Sequence, residues 1–280
     1  MRKLLSADFS RLWRSKIFWV MEGISAILGA FFYILAIVNT RNIGNNWYLG
    51  NGNYYFFMVL VCVGVEMAVF SGFFTGTEYS EGTIRNKLTV GHSRADIYMA
   101  NLVIAVVAGI LFTITHITVS LLVGLPFLGG LIWEALATVG WRIFTGIILI
   151  LCYGAIFTFF SMQDGNKSRN LIITFALSLV IILGGLLTYS RLQEPEFTSR
   201  MVMQEDGSYQ RQEGIPNSKY LSGTIRTVYT FLDACIPASQ AYNIARYEGE
   251  CNTLAIVCML GETLVFTAVG VVNFRKKDIK

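Results

Sequence analysis

Residues 54–100 read YYFFMVLVCVGVEMAVFSGFFTGTEYSEGTIRNKLTVGHSRADIYMA, and a change of character inside this stretch decides the fold. Its first part, 54–74, is apolar apart from Glu66 and a few small residues. Crossing about 30 Å of hydrocarbon takes roughly 20 such residues in a helix, so this part reads as a membrane span. The second part, 75–100, carries Glu78, Glu81, Arg85, Lys87, Arg94 and Asp96 and must lie outside the bilayer. It is too ordered in character for a plain connector. Glu78 and Glu81 lead into Gly82, Thr83, Ile84, Arg85, Asn86, Lys87 and Leu88, so acids open and cations close a short helix, as the macrodipole favours. Ile84 and Leu88 are four apart and share a face, which would offer a small apolar knob to the cytoplasm. Gly91 ends this helix, and Ser93-Arg94-Ala95-Asp96 opens the next.

Working outward, the same apolar length recurs at 17–38, 102–125, 143–162, 171–189 and 253–274, giving six spans in all. The whole composition agrees: of 280 residues 54% are hydrophobic and only 14% charged, against about 25% charged in ordinary globular domains. That excludes a soluble fold and predicts a single all-α transmembrane domain. Lys and Arg near span ends stay cytoplasmic. Arg2, Lys3, Arg11, Arg14 and Lys16, the 75–100 loop, Lys167 and Arg169, and the tail Arg275, Lys276, Lys277 and Lys280 therefore lie on one side. Both termini are expected inside. Residues 1–16 are not read as a cleavable signal, because charge and apolar residues interleave. Leu5, Phe9, Leu12 and Trp13 fall on one helical face, as suits an amphipathic helix lying in the cytoplasmic interface. The loop 190–252 is expected outside. Its polar part, 193–218, reads as an irregular exposed excursion, whereas Val228, Phe231, Leu232 and Ile236 have near-helical spacing that breaks at Pro237. Trp133 and Trp141 suit an interfacial belt.

Several chemistries are absent. No G-x-x-x-x-G-K-[ST] occurs, and Gly165-Asn166-Lys167-Ser168 has neither the spacing nor the second glycine of a phosphate cradle. No hydrolase or zinc signature appears around the two histidines and five cysteines, so neither an enzyme nor a metal site is expected. The net charge of +4 sits at span ends and gives no nucleic-acid footprint. Cys235 and Cys251, both on the outer side, are candidates for a disulfide. Glu22, Glu66, His116 and Glu262 fall inside spans, where an ionisable group is expensive. Glu66, near the middle of its span, reads either as part of a translocation path or as a hydrogen-bonded packing group with His116, Thr113 or Thr115 as partner.

The loop Glu78, Glu81, Gly82-Thr83-Ile84, Lys87-Leu88, Ser93-Arg94, and the tail Asn273-Phe274-Arg275-Lys276-Lys277-Asp278, resemble the membrane subunits of ATP-binding-cassette transporters of the ABC-2 permease family. The span count, the amino-terminal helix and the long fifth loop extend the likeness along the chain. The resemblance implies an exporter of a lipophilic or amphipathic substrate such as a drug, an antimicrobial peptide or a lipid. It also implies a bacterial plasma membrane, a second permease copy or paralogue, and a separate ATPase that binds ATP and magnesium. The loop helix would then be a coupling helix, docking through residues 83–88 with Ile84 and Leu88 as anchors. Spans two and five would face the dimer axis. The alternative is a secondary transporter driven by protons through Glu66, His116 and Glu262. It predicts matched broken spans in two halves, and the glycine-rich points do not match in that way.

Overall fold

The computed structural model describes residues 1–43, 57–128, 136–203, 209–246 and 253–278. In chain order these form α1 (Arg2–Arg14), α2 (Lys16–Ile43), α3 (Val59–Ser80), α4 (Thr83–Thr89), α5 (Arg94–Leu128), α6 (Leu136–Gln163) and α7 (Lys167–Leu192). There follow β1 (Phe197–Met203), β2 (Tyr209–Pro216), α8 (Gly223–Cys235), α9 (Pro237–Arg246) and α10 (Thr253–Lys276). Six helices, α2, α3, α5, α6, α7 and α10, are long and apolar enough to cross a membrane.

The second and fourth spans make the core. About 78% of the most apolar stretch of α3 and 67% of that of α6 is buried, against 22–28% for α2, α7 and α10, so the latter three carry the faces left to lipid or to another protein. α3 packs on α2, α5, α6 and α7. Its approach to α7 depends on two glycines. A Cβ at Gly72 would sit 2.9 Å from Leu171 Cα, and one at Gly76 would sit 2.8 Å from Lys167 Cα. Small residues one turn apart let the two backbones close in, the usual way of packing helices in lipid. Phe18 stacks on Phe112 at 5.8 Å, and Phe70 meets Phe18 at 6.4 Å and Phe112 at 5.8 Å edge-on, which joins α2, α3 and α5 near the end that carries α1.

Helices run past the slab that hydropathy marks. The second span continues to Ser80 where 74 was expected, and the helix that opens at Arg94, as the sequence indicated, runs unbroken into the third span. The polar residues in these extensions find partners on α1, α4, α6 and the end of α10, and little of the stretch 75–100 is loop. Gly82 (φ 67°) and Gly91 (φ 96°) supply the left-handed turns on either side of α4. Ser93 Oγ accepts from the Asp96 N–H at 3.1 Å and donates to Asp96 Oδ2 at 2.8 Å, a cap at the start of α5.

At the other end, the expected irregular excursion at 193–218 contains an antiparallel pair, Phe197 opposite Pro216 through Met203 opposite Tyr209, with an irregularity between Thr198 and Arg200. The all-α expectation is corrected by this hairpin. Its ladder is made by backbone groups, so the polar composition that suggested a structureless stretch does not oppose it. α8 and α9 follow, with Pro237 at the first helical position of α9. The Asp233 carboxylate accepts from Ser239 Oγ, from Gln240 Nε2 at 3.3 Å and from Asn243 Nδ2 at 2.9 Å. Gly185 lets α9 lie against α7, since a Cβ there would meet Ser239 N at 2.6 Å. Cys251 and Trp133 lie outside the described residues. Cys235 Sγ is instead 3.3 Å from Cys258 Sγ.

Candidate functional site

Both termini meet at one end of the bundle, around α4, and a buried network of charges holds them there. Glu78, in the last turn of α3, is fully enclosed. It accepts from Arg11 of α1, from Lys87 of α4 and, at 2.8 Å, from Asn101 Nδ2 of α5. Lys87 Nζ also lies 2.6 Å from Asp8 Oδ1. Two acids and two bases from α1, α3 and α4 thus form a neutral cluster whose Lys87, Asp8 and Glu78 side chains are no more than 9% exposed. Arg11 also lies over the Phe74 ring, 3.6 Å from its centroid, and donates to Phe74 O at 3.0 Å. Burial pushes the Asp8 carboxyl upward, against the pull of Lys87; Asp8 Oδ2 has no hydrogen-bond partner among the described residues.

The surroundings of α4 correct the reading of Ile84 and Leu88 as an outward knob. Ile84, expected as a knob for a partner, is 1% exposed and packs with Leu4, Ile97, Tyr98 and Phe274; Leu88 packs partly buried against the same group. Arg94, of the Ser93-Arg94 motif, donates to Phe274 O at 3.0 Å and to Lys277 O, closing the end of α10. The loop and the tail that carried the resemblance are therefore packed against each other. Ile84 turns inward, with Leu88 beside it, because α4 is short and must bury its strongest apolar side chain against the bundle. The outer face of α4 is left to Arg85, Asn86, Thr89 and Val90, the last 78% exposed, with Glu81 at its entry and Gly82 and Thr83 half-buried.

Sequence reasoning missed Asp8, Asn101 and the Lys277–Tyr79 contact. A sign of Asp8 was present: Leu4, Asp8 and Leu12 recur every four residues, and all three are buried. An acid on that stripe, in a helix otherwise rich in cations, needs a basic partner. Lys277 Nζ donates to Tyr79 Oη and to Met162 O, each at 2.9 Å. Burial lowers its pKa to about 8, with Asp164 opposing.

The intramembrane ionisable residues have separate surroundings among the described residues. Glu66 accepts from Ser25 Oγ of α2 at 2.6 Å, and neither His116 nor Thr113 is its partner. Thr113 donates to Gly109 O at 2.8 Å. His116 lies against Phe32, and both its ring nitrogens lack partners among the described residues. Glu262 is elsewhere, with Cys152 Sγ of α6 at 3.2 Å. No cluster of potential metal ligands occurs among the described residues. The arrangement is mechanical: a short helix is clamped by charge and by an apolar side chain to α1 and to the ends of spans two, three and six. Residues 4–185 match the family described as ABC-2 family transporter protein. No curated protein matches the sequence.

Proposed function

The chain belongs to the ABC-2 transporter family, and from that membership we propose that it is an export permease whose ATP is hydrolysed by a separate subunit docked on α4. The carrying observation is the two-sidedness of α4. Its inner face is fixed by Ile84 and by Lys87 between Asp8 and Glu78, while Arg85, Asn86, Thr89 and Val90 project from the bundle. Glu78 belongs to the central span, so a push on α4 is passed directly to α3, and through Asp8 to α1. Under this reading Glu81, Arg85, Asn86 and Val90 touch the ATPase, whereas Glu78, Ile84, Lys87, Leu88 and Arg94 transmit the movement. ATP and magnesium are ligands of that partner.

The basic residues beside this end support a cytoplasmic position for both termini. The substrate is proposed to be lipophilic or amphipathic. A second permease copy would meet α7, whose Ile172, Phe175, Leu179, Leu183 and Leu186 form one exposed apolar face; α3 is too enclosed by its own chain to provide much of that contact. The test is co-purification and transport with the ATPase. V90D should lose most of the ATPase and of vanadate-sensitive export while retaining the wild-type melting profile. Full co-purification by V90D and R85E/N86D would refute docking on this face.

A further inference from the structure

We propose that a cleft where α1 turns into α2 binds the phosphate headgroup of an anionic phospholipid. The cleft has a volume of 530 Å³ and lies between the α1–α2 junction, the end of α3 and the start of α7. Arg14, Lys16 and Lys167 line it, and none of the three is bridged to a carboxylate among the described residues. Arg11 also reaches it but is committed to Glu78. Glu81 is the single acid in the lining, so the unpaired cations outnumber it three to one. Lys167 Nζ is held 5.2 Å from the centroid of Phe73, which keeps the cation in place without neutralising it.

Two further observations select a lipid over a soluble anion. The cleft floor is apolar, with Ile17, Val20, Phe73 and Phe74. From Val20 the apolar surface continues along one exposed face of α2 through Ile24, Ile27 and Phe31, spaced as one stripe of a helix, so an acyl chain has a path leading from the headgroup. The depth is also suitable. Trp13 and Trp19 flank the junction, both about half exposed, with Trp19 Nε1 donating to Trp13 O at 2.9 Å. Exposed tryptophans of this kind mark the headgroup level. Cations at that level attract anionic lipid. Of the residues assigned to ATPase docking only Glu81 also lines this cleft, so lipid retention is read on the permease without its ATPase.

Native mass spectrometry of the full chain, loaded in detergent with phosphatidylglycerol or phosphatidylcholine, tests this. Phosphatidylglycerol should be retained in preference. R14Q, at an exposed position that folding does not need, should weaken retention about fivefold, and R14Q/K16Q/K167Q about a hundredfold; R2Q/K3Q, at the far end of α1, should leave it unchanged. Free glycerol phosphate should compete only at far higher concentration than the lipid. Equal retention of phosphatidylcholine, equal losses in R2Q/K3Q and the triple variant, or competition by glycerol phosphate at lipid concentration would overturn the proposal. So would a dimer that carries no lipid, since a second copy would then cover the cleft.

Discussion

Replacing Lys87 with methionine should free α4 and α1 from the bundle while leaving the spans intact. Among the described residues Lys87 is the one ion-pair partner of Asp8, whereas Glu78 keeps Arg11 and Asn101 when the lysine is removed. The cost therefore falls on Asp8, a carboxylate 2% exposed whose second oxygen is already unpartnered. Removing one member of a buried pair costs about 3–5 kcal/mol, and here no discount for solvent is due because the side chains are at most 9% exposed. The same energy appears as easier local opening, so amide exchange in residues 2–14 and 83–89 should speed up by roughly a hundredfold to a few thousandfold, up to the limit set by global unfolding. Exchange in α6 should not change. D8N/K87M should recover most of the loss, because a neutral amide replaces the stranded charge. Hydrogen-exchange mass spectrometry reads all three proteins. Exchange in K87M within threefold of the wild type, or a double variant as fast as K87M, would show that the cluster does not hold this end together.

Two other outcomes follow from the packing at the two ends of the bundle. Lys277 has a docked pKa of about 8 against an ordinary value of 10.5, so between those values the released tail binds more protons than the docked one. Docking is therefore penalised in full below pH 8 and strengthens as pH rises toward 10.5; the anisotropy of a fluorophore on D278C should rise over that window, and K277M should abolish the rise. An added thiol oxidant should join Cys235 to Cys258, whose sulfurs are 3.3 Å apart, taking two electrons and releasing two protons. Burial raises the Cys235 thiol to about 11, so the reaction should accelerate with pH; undiminished maleimide labelling of both cysteines after oxidation would contradict the contact.

The span count was legible because it rests on a local quantity, the length of an apolar run against the thickness of hydrocarbon. The turn glycines and the Ser93 cap were legible for the same reason, since each depends on a few neighbouring residues. The end of α3 was not. Polar residues there looked like loop because their partners, Arg11 and Lys87 for Glu78, lie 67 and nine positions away. The hairpin at 197–216 was missed because strand pairing satisfies backbone groups whatever the polarity of the side chains.

The candidate site divides along the same line. The sequence by itself determined that a short charged helix stands beyond the second span and resembles a coupling element, because hydropathy, macrodipole order and motif are all read along the chain. Only the tertiary structure decided which way that helix faces. A seven-residue helix with one strong apolar side chain is oriented by whatever surface can bury it, and that surface is assembled from Leu4, Ile97, Tyr98 and Phe274, residues 270 positions apart at their extremes. Ile84 therefore turns inward, Lys87 follows it to Asp8 and Glu78, and Val90 is left outside. Burial and charge pairing are sums over distant contacts, and no local pattern contains them.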